Sequence, residues 1–100
     1  MVLAVAPFAR GQSTKYPDRP IDFIVNFGPG GGADQMARIL SPLAEKILGA
    51  ALPVSNVAGA SGNTGLAKVT AARPDGYTVG TYTGLVLSSW ALGLAPFKVD

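Results

Sequence analysis

Ile21-Asp22-Phe23-Ile24-Val25-Asn26-Phe27, followed by Gly28-Pro29-Gly30-Gly31-Gly32 and then Ala33-Asp34-Gln35-Met36-Ala37, decides the fold. It reads as a short buried strand, a glycine-rich turn and the opening of a helix. Phe23, Ile24, Val25 and Phe27 form an apolar run rich in β-branched and aromatic side chains, closed by glycines. Such a run suits a strand covered on both faces, as in a parallel α/β sheet. The turn has almost no side chains, so its backbone can take positive φ and a ligand can approach closely. A helix starting just after it aims unpaired N–H groups and its positive dipole end at the space above the strand. That arrangement favours a phosphate or a carboxylate; a plain tight turn between strand and helix is the blander alternative.

The helix that follows is well marked. Met36, Ile39, Leu40, Leu43, Ile47 and Leu48 recur at helical spacing, predicting one apolar face turned to a core. Lys46 stands in the last turn and Gly49 at the left-handed C-terminal position. Pro42 cannot donate to the carbonyl of Arg38, so a kink is expected there. Asp34 falls in the first turn, where it suits the dipole. Aimed outward it would repel an anion, so it is expected to turn back onto the glycine loop.

The same device then recurs. Leu52-Pro53-Val54-Ser55-Asn56-Val57 predicts a second strand and Ala58 to Gly65 a second small-residue loop. Leu66 to Ala72 predicts a helix with Leu66, Val69 and Thr70 inward. With right-handed crossovers in a parallel sheet, both loops emerge at the carboxyl ends of the strands and face one crevice. Arg73-Pro74-Asp75-Gly76 carries the residues of a β-turn, and Tyr77 to Tyr82 alternates as a third strand. Thr81, Thr83, Ser88 and Ser89 could add hydroxyl donors beyond it. For Ser88 and Ser89, capping of a helix beginning near Leu85 is the better reading. Trp90 and Leu92 are expected in the core.

Composition narrows the function. The chain has 100 residues, enough for one small domain with a core. Hydrophobic residues are 48% and charged ones 14%, which suits an ordered chain. The formal charge is +2 and the eight Lys and Arg are scattered, so there is no basic stripe for nucleic acid. Cysteine and histidine are both absent. Disulfides, thiolate metal sites, the usual general base and any Ser-His-Asp arrangement are therefore excluded from this sequence. Met1 to Ala9 is apolar but too short to span a bilayer. It reads as the end of a secretory segment, with Ala4-Val5-Ala6 as an A-x-A-like site and Pro7 ill placed after it. Residues 1–15 are thus expected to be a truncated signal and leader, with no stable membrane insertion. Tyr16-Pro17-Asp18-Arg19-Pro20 reads as an extended approach to the first strand.

Catalytic motifs fare poorly. Gly28-Pro29-Gly30-Gly31-Gly32-Ala33 satisfies the dinucleotide G-x-G-x-x-G/A pattern, but the second strand ends in Ser55-Asn56 without the acid that holds a ribose. No P-loop is present, and Gly59-Ala60-Ser61-Gly62 lacks the second glycine of a nucleophile elbow. The carboxylates form no obvious pair. No catalysis and no cofactor are expected.

Taken together, Tyr16 to Ile21, Ile24 to Asp34, Asn56 to Gly65 and Arg73-Pro74-Asp75-Gly76-Tyr77-Thr78 resemble the tripartite tricarboxylate transporter receptors, the Bug family of extracytoplasmic solute receptors. The resemblance spans Tyr16 to Asp100. It implies an α/β fold of type II periplasmic-binding-protein kind, a two-domain trap that closes on a small carboxylate. Residues 16–100 would be the N-terminal part of its first domain, ordered βαβαβα with a mostly parallel sheet, and the second domain would be missing. It further implies ligand capture by main-chain N–H groups and water, a periplasmic location, and delivery to a membrane permease. Carried onto this sequence, Phe27, Gly28, Gly30, Gly31, Gly32, Ala33, Asp34, Gly59, Ala60, Ser61, Gly62 and Asn63 would grip a carboxylate, with Thr81 and Thr83 bordering it. The sequence departs from the family, which usually has proline at Asn26 and Gly28, Arg-Pro at Val57-Ala58 and glycine at Ser61. Two rival expectations are a nucleotide-dependent enzyme using the glycine turn for phosphate, and an inactive truncated product.

Overall fold

The computed structural model describes residues 15–95. The secretory reading of Met1 to Ala9 and the break at Ala95-Pro96-Phe97 fall wholly or partly outside them. Three parallel strands form one sheet in the order β2-β1-β3: β1 Asp22–Val25, β2 Val54–Asn56 and β3 Thr78–Gly80. Each strand leads into a helix: α1 Gly32–Leu48, α2 Asn63–Ala71 and α3 Gly84–Ala91, with a short 3₁₀ turn, Ala60–Gly62, before α2. The expected βαβαβα order and parallel pairing are therefore present, although every strand is shorter than the sequence predicts.

The most apolar strand is central because it alone is flanked on both sides. Phe23 pairs with Val54 and Val25 with Asn56 across one edge, while Asp22 pairs with Thr78 and Ile24 with Gly80 across the other. Ile24 and Val25 are buried with Ile21, Ala37, Leu52 and Val86. Two glycines let helix α2 approach the sheet. A Cβ on Gly65 would lie 2.6 Å from the Val57 carbonyl oxygen and 2.7 Å from Asn26 Cα. A Cβ on Gly80 would lie 2.6 Å from Val69 Cγ2.

At the opposite, amino-terminal end of the sheet, a polar and aromatic clasp joins two motifs some sixty residues apart in sequence. Tyr16 donates its hydroxyl to the Gly76 carbonyl at 2.6 Å, and Tyr77 donates to Asp18 Oδ1 at 2.6 Å. The Asp18 N–H donates back to the Tyr77 oxygen at 3.0 Å. Arg19 lies 3.7 Å above the Tyr77 ring and reaches Asp75 at 3.3 Å. The Asp18 carboxylate raises the Tyr77 pKa. Asp75 also accepts from the Tyr77 N–H, which closes the Arg73–Gly76 bend through a side chain.

Several expectations of burial fail. Met36, Ile39, Leu40, Leu43, Ile47 and Leu48 are all exposed, Ile47 at 85%, and the residues of α1 that reach the sheet are Asp34, Ala37 and Ser41. The face of α1 that meets the strands is thus its small and polar one. Helix α1 runs unbroken through Pro42 and ends, as expected, on Gly49 at φ 70°. Thr70 is exposed and donates back to the Ala67 carbonyl. Trp90 and Leu92 are also exposed. Ser88 and Ser89 do not cap; they sit within α3 and donate to the Gly84 and Leu85 carbonyls, four residues back.

Gly65→Ala is expected to destabilise the fold by about 1–3 kcal/mol, since the obstructing atoms are backbone. Gly84→Ala, where a Cβ meets nothing within 4 Å, should change stability by no more than about 0.5 kcal/mol. Urea unfolding of the two variants makes the comparison.

Candidate functional site

Because the strands are parallel, all three strand-to-helix loops leave the same edge of the sheet. The first, Asn26 to Gly31, ends on Gly31, which gives α1 no side-chain cap. The N–H groups of the opening turn of α1 therefore face outward unpaired. Gly30, Gly31 and Gly32 are exposed, and Phe27, Gly28 and Ala33 half-buried. Gly30 takes φ 88°, a left-handed angle at which any side chain would be strained.

Asp34 turns back, as expected, and supports this loop from beneath. Its carboxylate accepts from the Gly30 N–H at 3.0 Å, from Asn56 Nδ2 at 2.9 Å and from Arg38 Nε at 3.0 Å. Asn56 also donates to the Phe27 carbonyl at 3.0 Å and accepts from Arg38. These contacts, led by the Gly30 N–H and followed by Asn56 and Arg38, hold the Asp34 pKa at about 2 against the ordinary 3.8. The buried carboxylate organises the loop by engaging the Gly30 N–H and leaves the N–H groups of the opening turn of α1 unengaged.

The second loop is built differently from a bare helix start. Gly59, Ala60, Ser61 and Gly62 all have positive φ, at 128°, 49°, 57° and 92°. Ala60 and Ser61 hold the centre of a left-handed turn closed by the Gly62 N–H on the Gly59 carbonyl at 3.0 Å. Thr64 N–H also reaches Gly59 at 3.4 Å, while the backbone N–H and Nδ2 of Asn63 both donate to Ala60. The turn thus consumes the donors of Gly62, Asn63 and Thr64. Ala58, Gly59, Ala60, Ser61 and Thr64 of this loop are exposed, while Gly62, Asn63 and Gly65 are buried.

In the third loop Thr81 is buried and Thr83 half-buried. Thr83 precedes α3 without capping it by its side chain. The Thr81 N–H continues the β3 pairing by donating to Ile24 at 3.0 Å. Asn63 Oδ1 and Thr83 Oγ1 are buried without a hydrogen-bond partner among the described residues. The loops are close-packed at their bases: a Cβ on Gly62 would lie 2.6 Å from Asn26 Nδ2 and 3.2 Å from Val86. Sequence reasoning named the loop residues but missed Asn26 and Asn56. Their signal was available, since each is a polar residue ending an apolar strand just before a small-residue loop.

Above these bases the loops form an open shelf. Two concavities among the described residues, of about 270 and 250 Å³, lie elsewhere. One sits between Pro17–Pro20 and Gly49–Ala51, the other between α1 and Leu52–Val54. The described residues hold no cluster of three metal-ligating His, Cys, Asp or Glu side chains, and no helix long and apolar enough to cross a membrane.

No protein-family model matches the chain. Protein BugT of Bordetella pertussis is 44% identical over 80 residues, covering 80% of this chain and 23% of its own. Over this shared stretch the chain belongs to the Bug family. A solved TctC solute-binding protein from Polaromonas, without ligand, superposes with a TM-score of 0.78 at 36% identity, over 83% of this chain and 29% of that one. MatC from Rhodopseudomonas palustris, with bound malate, superposes with a TM-score of 0.63 at 34% identity, over 65% of this chain and 22% of that one. The chain therefore spans about a quarter of the length of these Bug-type relatives.

Asp34 is charged more readily in the folded chain than in the unfolded one. Its contribution to stability is complete above about pH 4 and is lost as pH falls towards 2. Urea midpoints should fall over that window, and Asp34→Asn should lower the midpoint at neutral pH and flatten the acid decline. Left-handed Ser61 costs about 1–2 kcal/mol, partly offset by the added freedom of an unfolded glycine. Ser61→Gly should therefore raise stability by up to about 1 kcal/mol, read from the same midpoints.

Proposed function

We propose that this chain is part of an extracytoplasmic solute receptor that captures a small di- or tricarboxylate, or an amino acid, for a tripartite tricarboxylate-type transporter. The observation that carries the reading is the convergence of three loops at the carboxyl edge of one parallel sheet. The first of them presents the uncapped amino-terminal turn of α1. Unpaired N–H groups at a helix start, reinforced by the helix dipole, complement a carboxylate without any charged side chain. The outward groups proposed to touch ligand are the backbones of Gly31, Gly32 and Ala33 and the Ala60–Ser61 turn, with the Ser61 hydroxyl. Gly62, Asn63 and Thr81 hold the loops in place, and Thr83 borders the site.

The bound malate of MatC supports this ligand class. The open shelf supports a site completed by an opposing wall, because a small ligand is normally buried over most of its surface. Residues 1–15 are proposed as an export leader, the location as periplasmic, the partner as a membrane permease, and the role as binding without catalysis. The rival nucleotide reading has less support. The second strand ends in Asn56, whose amide is already engaged by Phe27, Asp34 and Arg38.

Titration of the ¹⁵N-labelled chain with malate, adipate and citrate is expected to shift the amides of Gly31, Gly32, Ala33, Ala60 and Ser61, with weak affinity for one wall alone. NAD and ADP should leave them unmoved. Shifts produced only by the nucleotides would defeat the carboxylate reading, and nanomolar carboxylate binding by this chain would defeat the two-walled trap.

A further inference from the structure

Beneath the shelf, one side chain touches all three loops. Asn26 is 1% exposed and follows the last residue of β1. Its backbone N–H donates to Thr81 Oγ1 at 3.2 Å, and the Thr81 hydroxyl donates back to Asn26 Oδ1 at 2.5 Å. Its Nδ2 donates to the Gly62 carbonyl at 3.3 Å. Thr81 is itself 6% exposed. Each polar group in this set therefore has its partner within the protein, where an unmade bond would carry a desolvation penalty. Glycine at 62 and at 65 is what allows so close an approach, since a Cβ at either would run into Asn26.

We propose that Asn26 and Thr81 are positioning residues, a latch that fixes the spacing of the three loops and so preorganises the donors of the carboxylate shelf. The proposal rests on the carboxylate reading for its effect on affinity, but not for its effect on the loops themselves. The latch touches no ligand. It acts by fixing the left-handed Ala60–Ser61 turn and the start of α3 relative to β1. A binding surface held in its bound geometry loses less entropy when the ligand arrives. The bond to Gly62 sets the second loop and the pair of bonds to Thr81 sets the third, so the two can be released separately.

Thr81→Val removes the hydroxyl at nearly constant volume, Thr81→Ser keeps it, and Asn26→Asp replaces the donor to Gly62 while leaving an acceptor for Thr81. Amide hydrogen exchange without ligand is read first. Thr81→Val should speed exchange at residues 81–84, Asn26→Asp at residues 59–63, and Thr81→Ser at neither. Malate titration is read second. Affinity should fall about fivefold to tenfold in Thr81→Val, the factor of one net hydrogen bond, and return in Thr81→Ser. If Thr81→Val does not fold, Asn26→Asp and Thr81→Ser carry the comparison. Unchanged loop exchange in the folded variants overturns the latch, as does unchanged malate affinity accompanied only by a lower melting temperature. If malate fails to bind any form while the exchange pattern holds, the latch stands and the carboxylate reading falls.

Discussion

Burial of polar groups at the carboxyl edge of the sheet is the constraint on which the site depends. Asp34, Asn26 and Thr81 are each less than a tenth exposed, and each spends its hydrogen bonds on a neighbouring loop. Half-buried Asn56 joins them from β2. Without such partners the charged and amide groups would be costly to bury. With them, Asp34, Asn26, Asn56 and Thr81 tie the loop bases together, while the N–H groups at the start of α1 stay unpaired above them. On the proposed reading, a carboxylate ligand would meet donors already oriented and would need no basic side chain.

Small residues in this chain do two different jobs. Gly30 and the Gly59–Gly62 turn adopt angles that shape the loops. Gly65 and Gly80 serve contact instead, letting α2 lie directly on the ends of β1 and β3. In sequence both kinds look alike. The loop Ala58 to Gly65 reads as one ligand-facing segment, yet its second half is packing surface and its turn uses up donors that a bare helix start would offer.

The apolar stripe of α1 shows the limit of periodicity. Its spacing correctly marks a helix from about Gly32 to Leu48, but the face it predicts to be buried is exposed here. The sheet instead meets Ala37, Ser41 and Asp34, with Ser41 and Glu45 bonding the backbone of Leu52. Nothing among the described residues covers Met36, Ile39, Leu43 or Ile47, and the TctC chain extends well beyond the 29% matched here. Periodicity reports that a face is apolar; which surface meets it is a separate matter.

The order of strands and helices, the glycine turns, the left-handed Gly49 and the inward turn of Asp34 were all legible from local chemistry. Each depends on residues within a few positions of one another, where spacing and backbone freedom govern. The family resemblance was legible for the same reason, being carried by short motifs. Tertiary structure alone decided that β1 lies between β2 and β3, that Tyr16-Pro17-Asp18-Arg19 closes over Asp75-Gly76-Tyr77, and that Asn26 gathers three loops. Those contacts join residues 36 to 60 positions apart. They arise from pairing and close packing across the sheet, which no local pattern in the chain encodes.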